Sequence, residues 1–511
     1  MLRAVRHLFR LLAIARSLAR HDALFMLDRL DAPPLLRFIA RTVSRRGSTG
    51  RDGERLAAAF QELGPSFIKL GQVLSTRADL LGEEIAADLA KLQDRLPPFS
   101  GERARQTVAE ELGAPAEDLF AQFDDEAVAA ASIAQVHLAE TTDGEAVAVK
   151  ILRPGIEQAF RRDVDLFYWA AGLIESLVPP ARRLKPVRVV ETFAEIVEIE
   201  MDLRLEAAAA AELRDNFRDE PTFLVPRVDW ARTARRVMTL ERVRGIRVSD
   251  HEKLVAAGHD LNAILEKSAR AFFNQVFRDG FFHADMHPGN LFIEDSGNLA
   301  VVDFGIMGRL DRPTRHYLAE MLIGFLSGDY RRVAEVHFRA GYVPAHKSVD
   351  SFAQACRSIG EPLLGKPLNE ISLARLLAQL FQVTGTFEME TQPQLLLLQK
   401  TMLQAEGMGR QLNPDINMWE LARPLIEAWI RDNLGPEARV REAAEGLRDG
   451  LARLPNLIAD AERVATMLGD GGVKLHPDTV RTMTGEGRRN PMAVPLWIVA
   501  ILLVILILTQ I

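Results

Sequence analysis

Hydrophobic and polar positions change period several times along this chain, and each change marks an element. From residue 50 to about 120, apolar side chains recur every three or four positions. This predicts helices over 54–63, 65–81 and 83–96, the last stopped by Pro97 and Pro98. Alternation then takes over: Val147, Val149 and Ile151 fall on one strand face, and Ala146, Ala148, Lys150 and Leu152 on the other. Asp143 and Gly144 form a turn joining this strand to 132–139 as a hairpin. A long Glu- and Ala-rich helix follows over 186–217, then a short strand at 236–242 and a helix over 261–278. Two apolar runs, 291–293 and 299–302, flank the turn residues Asp295, Ser296, Gly297 and Asn298 and read as a second hairpin. Beyond Asp303 helical periodicity returns to about residue 465, and 466–491, with several Gly, Pro and Thr, reads as a linker.

The two ends carry a different pattern. Residues 492–511 contain no charge and follow Arg488 and Arg489. A helix of ~20 residues rises about 30 Å, the thickness of a hydrocarbon core, so a C-terminal transmembrane anchor is expected, whether as a full crossing or as half of a hairpin. The positive flank puts the preceding chain in the cytoplasm. Residues 1–20 hold five Arg and no acid, with Leu2, Phe9, Leu12 and Ile14 between the basic positions. Such a segment suits an anionic membrane surface, a transit peptide or an ordinary surface helix.

Composition narrows the class. The 511 residues are 48% hydrophobic and 26% charged, which excludes a disordered or fibrous chain. With 63 Lys and Arg against 70 Asp and Glu, the net charge of -7 gives no footprint for nucleic acid. A single cysteine, Cys356, excludes an internal disulfide framework and fits a reducing compartment.

The chemistry concentrates in 282–305. His283, Asp285 and Asn290 form H-x-D-x-x-x-x-N, and Asp303, Phe304 and Gly305 form D-F-G. The hairpin between them brings Asn290 and Asp303 side by side, two oxygen donors of the kind a phosphate-bound Mg²⁺ takes. Asp285 then sits where an attacking hydroxyl or water has its proton taken or its orientation set. A metal cluster through His283, Asp285 and His287 is the competing reading, but strand-turn-strand and D-F-G downstream fit no zinc site. Upstream, Val147 to Lys150 match the strand carrying the phosphate-reading lysine of kinases, and Glu206 on the following helix is placed to hold it. Asp202, four residues earlier, shares the face of Glu206, whereas Glu200 points elsewhere. No glycine-rich loop precedes Lys150. The corresponding stretch is Val128, Ala129, Ala130, Ala131, Ser132, Ile133, Ala134, Gln135 and Val136; alanine does not take positive φ as glycine does, so a stiffer phosphate-covering loop is expected. Residues 240–243, including Glu241 and Val243, are the expected hinge for adenine. No A-P-E follows D-F-G and helix resumes within about ten residues, so no long segment is left on which a peptide substrate could lie.

These residues resemble the UbiB/AarF family of atypical kinases. Lys69, Gly71 and Gln72 match its K-x-G-Q signature, the alanine-rich stretch its phosphate loop, and Glu200 with Asp202 its E-x-D motif. Met286 departs from a frequent Pro, and Leu203 and Ala209 from a frequent Tyr and Asn. The resemblance implies an α+β, protein-kinase-like bilobal fold with the K-x-G-Q helices draped over the cleft. Its expected divisions are a basic segment 1–50, a helical extension 51–122, lobes 123–245 and 246–465, a linker 466–491 and an anchor 492–511. It also implies ATP and Mg²⁺ as ligands, ATPase activity in preference to protein phosphorylation, and a role in ubiquinone biosynthesis at the inner membrane, mitochondrial in a eukaryote. Lys69 would approach the nucleotide or pair with Glu200, and Gln72 and Asp202 would join the nucleotide site. Implied partners are membrane lipids, quinone precursors and ubiquinone-biosynthesis proteins; a homodimer stays open. A small-molecule phosphotransferase and a nucleotide-gated scaffold without catalysis are the alternative functions.

Overall fold

Three consecutive strands joined by tight turns begin the first sheet. In the computed structural model β1 (Phe120–Ala130), β2 (Ala134–Thr141) and β3 (Ala146–Leu152) pair antiparallel in chain order, and β5 (Val237–Glu241) adds beyond β3. The structure describes residues 2–25, 50–75, 81–89, 92, 97–177, 186–362, 383–389 and 392–413, with positions 424, 427, 429 and 431. Two units divide the chain, Met1–Leu425 and Ile426–Ile511, and every element named here lies in the first.

Helices cover both faces of this sheet. On one side α5 (Gly101–Leu112) and α6 (Ala116–Leu119) close a core of Ala104, Val108, Phe120, Val147, Val149 and Ile151. On the other lie α7 (Ile156–Leu177), α8 (Pro186–Glu200) and α9 (Leu203–Asn216), whose Phe160, Phe193, Leu203 and Leu213 are fully buried. Each such side chain contributes roughly 1.5–3 kcal/mol by leaving water.

The chain then crosses to a helical lobe. Its elements are α10 (His251–Ala256), α11 (Leu261–Phe273) continued by a wider turn over Asn274–Asp279, α12 (Arg312–Ser327), α13 (Tyr330–Arg339), α14 (Val349–Gly360) and α15 (Pro393–Leu412). Here β4 (Phe223–Leu224), β9 (Leu299–Val301), β8 (Leu291–Ile293) and β6 (Ile246–Arg247) form a small sheet in that order, and β10 (Met307–Arg309) pairs with β7 (Phe281–His283). Residues 242–245 connect the two four-stranded sheets. Gly245 ends the crossing at φ +147°, where a Cβ would stand 2.3 Å from the Ile293 carbonyl oxygen.

In front of the sheets, α2 (Asp52–Leu63), α3 (Pro65–Ser75) and α4 (Glu83–Leu89) pack around Leu56, Phe60, Phe67, Ile85 and Leu89. The basic helix α1 (Leu2–Arg20) lies against α2: Arg10 forks onto Asp163, and Arg20 and His21 pair with Glu62. Arg10, Arg20 and His21 are thus tied to protein carboxylates. Cys356 is buried and its thiol is pushed up to about 12, an inert side chain.

Three expectations are corrected. The 186–217 helix is two helices, broken at Met201 and Asp202: Asp202 is extended, and its carboxylate caps α9 by accepting from the Arg204 amide. Strand β1 occupies 120–130, where no strand was expected, and β10 intervenes before the helices that follow Asp303. Among the described residues no helix is long and apolar enough to cross a membrane. The expected linker 466–491 and anchor 492–511 lie outside the described residues.

Candidate active site

Lys150 stands in the middle of β3, opposite Val136 on β2 and Met238 on β5. Its Nζ lies 2.6 Å from Glu206 Oε1 and 2.8 Å from Asp303 Oδ1. Burial opposes the ammonium charge, but Asp303 and Glu206 together outweigh it and raise the lysine pKa above its ordinary value. Asp303 is correspondingly held below the usual carboxylate range, first by Lys150 and against burial. Glu206 is pushed up by burial, with Lys150 opposing. A carboxylate sealed in this way depends on its lysine to stay ionised.

The break at Met201 and Asp202 aims two acids at two lysines. Glu200, last residue of α8, meets Lys69 of α3 at 2.5 Å, while Glu206 in the first turn of α9 meets Lys150. The Lys69 charge also helps to depress the Asp303 carboxyl. Asp202 does not share the site of Glu206: its two oxygens are forked by Arg204 at 2.8 and 2.6 Å. Gln72 is half-buried on α3, its carbonyl accepting from Ser75. Gly71 serves packing, since a Cβ there would meet Leu92 at 2.4 Å and Phe60 at 2.8 Å.

Asp303 follows β9 with φ +68°, a left-handed backbone that costs a non-glycine residue about 1–3 kcal/mol and concentrates at functional sites. The hairpin of β8 and β9 sets it beside Asn290: the Val302 amide donates to the Asn290 carbonyl at 3.0 Å. The Asn290 amide nitrogen donates to the Asp285 carbonyl, which turns its side-chain oxygen away from that bond. His283 locks this loop. It is buried and held neutral by burial; its Nδ1 accepts from the Asp285 amide, so Nε2 carries the proton and donates to the Val302 carbonyl. Phe304 meets its ring edge to face at 5.8 Å. Gln275, in the wide turn after α11, accepts from the His283 amide at 2.8 Å.

Asp285 gives one carboxylate oxygen, Oδ1, to two partners from α15: Lys400 at 2.8 Å and Gln404 at 2.9 Å. Burial would raise its pKa, but Lys400 and Gln404 overcome that and keep it below the ordinary value. Neither partner was expected from sequence. They lie on a Leu- and Gln-rich helix with no local motif, more than a hundred residues downstream.

The 128–136 stretch is the β1–β2 hairpin tip. Val128 and Ala129 are exposed, Ala130 and Ala131 half-buried, and none of the nine takes positive φ. Arg153, also unexpected, holds the tip through the Ala131 carbonyl and reaches the Pro97 carbonyl. Ser132, Ala134 and Gln135 are buried, Ile133 and Val136 half-buried. Gln135 pairs with both backbone groups of Phe99 and with His137, tying the helical extension to the sheet. Glu241 is exposed at the end of β5 and accepts from the Arg227 amide; Val243 lies in the crossing between the sheets.

The donor set at the hairpin is one carboxylate and one amide oxygen, both hard ligands, and two lysines face three carboxylates nearby. Those residues suit Mg²⁺ completed by nucleotide oxygens. Among the described residues no group of three or more His, Cys, Asp or Glu could hold a metal by itself.

Similarities to known proteins follow the same lines. The ABC1 atypical kinase-like domain matches residues 91–337, and the UbiB helical domain matches residues 356–417. A probable protein kinase UbiB of Marinobacter nauticus is 45% identical over 416 residues, 80% of this chain and 76% of its own. That of Azotobacter vinelandii is 42% identical over 476 residues, 91% and 87% of the two chains. A solved structure of Rv3197 with erythromycin from Mycobacterium tuberculosis superposes with a TM-score of 0.50 at 26% identity, over 71% of this chain and 93% of that one. The chain therefore belongs to the UbiB family of ABC1 atypical kinases, with an α+β, protein-kinase-like fold.

Proposed function

We propose that this atypical kinase binds Mg-ATP in the cleft lined by Lys150 and Asp303 and hydrolyses it in support of ubiquinone biosynthesis at a membrane. The observation that carries this reading is the position of the Lys150 ammonium, shared between Glu206 and Asp303 at 2.6 and 2.8 Å. Glu206 keeps the lysine extended toward the α- and β-phosphates, and the hairpin tip at 128–131 covers them. Mg²⁺, held by Asp303 and Asn290, would supply charge neutralisation on the phosphate oxygens. Asp285 orients the attacking water and takes its proton as the water oxygen bonds the terminal phosphorus and the bond from that phosphorus to the leaving ADP oxygen breaks.

Water, not a peptide, is the acceptor that the geometry favours. Only eight residues separate Asp303 from α12, too few for a peptide-binding segment, and α3 brings Lys69 to the same acids. The basic α1 and the uncharged 492–511 segment support a membrane location, with lipids and quinone precursors as its neighbours.

The test uses cells lacking this chain and complemented with the parent, Asp285→Asn or Asp303→Asn. Ubiquinone should return with the parent alone, while the purified variants lose acceptor-independent ADP release. Ubiquinone restored by Asp303→Asn while hydrolysis is gone would assign the chain a non-catalytic, nucleotide-gated role. ADP release only with an added alcohol or phenol would make it a small-molecule phosphotransferase.

A further inference from the structure

We propose that Lys400 and Gln404 of α15 form a clamp on Asp285, holding one carboxylate oxygen so that the other faces the attacking water. Lys400 would thereby be a positioning residue for phosphoryl transfer. This goes beyond the ATPase reading but rests on it, since it assigns Asp285 its proton-accepting role.

The geometry is specific. Lys400 and Gln404 are four apart and share one face of α15, so both reach the same carboxylate. Both bond Oδ1, at 2.8 and 2.9 Å, and among the described residues Oδ2 has no protein partner. The loop from Met286 to Asn290 contains no Lys or Arg, so the cation beside Asp285 comes from outside the catalytic loop. A charge-assisted pair reinforced by an amide fixes the carboxylate more firmly than either bond alone. The flank of α15 beside the clamp anchors it: Met408 and Leu412 sit in the main core, and Thr401 is fully buried. Thr401, Met402 and Ala405 line a cavity with Met286, the residue next to Asp285, and with Ser268 and Phe272 of α11. The seat of α15 and the placement of the catalytic carboxylate are therefore one structural arrangement, and a helix outside the kinase-like segment completes the site.

A carboxylate that swings away from the attacking group loses orientation while nucleotide binding survives. In the full chain, Lys400→Met should lower kcat about 10²-fold, the cost of an ångström-scale misplacement. KM for ATP should stay within about threefold, the signature of an interaction made in the transition state. Lys400→Arg keeps charge and reach and should recover to within about tenfold of the parent. The decisive arm is a cycle with Asp285→Asn, read by single-turnover ADP formation. If Lys400 acts through Asp285, adding Lys400→Met to Asp285→Asn should change the rate less than about twofold.

A full additional loss in the Asp285→Asn background would overturn the clamp, and so would a kcat for Lys400→Met within about twofold of the parent. Melting temperature is followed throughout: equal losses of melting temperature and activity in Lys400→Met and Lys400→Arg would mark a structural role and also overturn it. Failure of the ATPase reading shows separately, as absence of acceptor-independent turnover in the parent. In that case the same cycle, run on acceptor-dependent transfer, tests the clamp by the same criteria.

Discussion

Lys69 Nζ lies 2.5 Å from Glu200 Oε1, and each side chain keeps less than a tenth of its exposure. The pair joins α3, in the helical extension, to the end of α8. Removing one member takes the closest opposite charge from a buried group, which costs more than losing an exposed pair.

Glu200→Ala should therefore lower unfolding free energy by about 3 kcal/mol. Asp350→Ala should cost less than about 1 kcal/mol, because its partner Arg331 and Asp350 itself are both largely in solvent. Denaturant titration of the two variants checks the contrast; equal losses would show that the buried pair has no special weight.

Lys150→Met leaves Glu206 and Asp303 facing each other without the cation between them. ATP affinity should fall about 10–100-fold, the range for losing a charged hydrogen bond. Glu206→Gln keeps a hydrogen-bonding group of the same shape and should lose less. Fluorescent-nucleotide binding separates the two, and wild-type affinity in Lys150→Met would remove the lysine from the nucleotide site.

Gly71→Ala should destabilise by about 1–3 kcal/mol through overpacking, since the new Cβ would press on Leu92 and Phe60. Thermal unfolding measures it. A neutral result would show that α3 can shift away from its neighbours.

Glu406, on α15, is pushed up by burial to about 7 from an ordinary 4.5, with Arg410 partly opposing. The native state then holds a proton that the unfolded chain has released, so stability falls as pH rises from about 4.5 through about 7 and the loss is complete above that. Glu406→Gln removes this contribution and should stabilise the chain at pH 8 by about 1–3 kcal/mol, with little change at pH 4.5. Melting curves across that range test it; a parallel offset at every pH would contradict the titration.

Local signals made much of the site legible. The hairpin between Asn290 and Asp303 carries its own turn residues, and the VAVK strand its own alternation, so both elements could be read without tertiary information. Strand β1 could not, because its register slips three times between Phe120 and Ala129 and its burial no longer alternates. The break at Asp202 was hidden by apolar periodicity that continues through Met201 and Leu203; the cap from Arg204 to Asp202 starts the second helix there. Lys400 and Gln404 carried no signal at all, since their partner is fixed by how α15 packs and not by any spacing near them. Gln135, placed by its alanine-rich neighbours among the phosphate-covering residues, is instead buried against Phe99.

Calorimetric titration of the full chain with ATP, with and without Mg²⁺, probes most directly whether Lys150, Glu206, Asn290 and Asp303 meet around one magnesium-bound triphosphate. The parent should bind Mg-ATP at least about tenfold more tightly than ATP alone, and Asp303→Asn should abolish that difference while keeping its melting temperature. An Asp303→Asn variant whose affinity still rises with Mg²⁺ as the parent's does would contradict it.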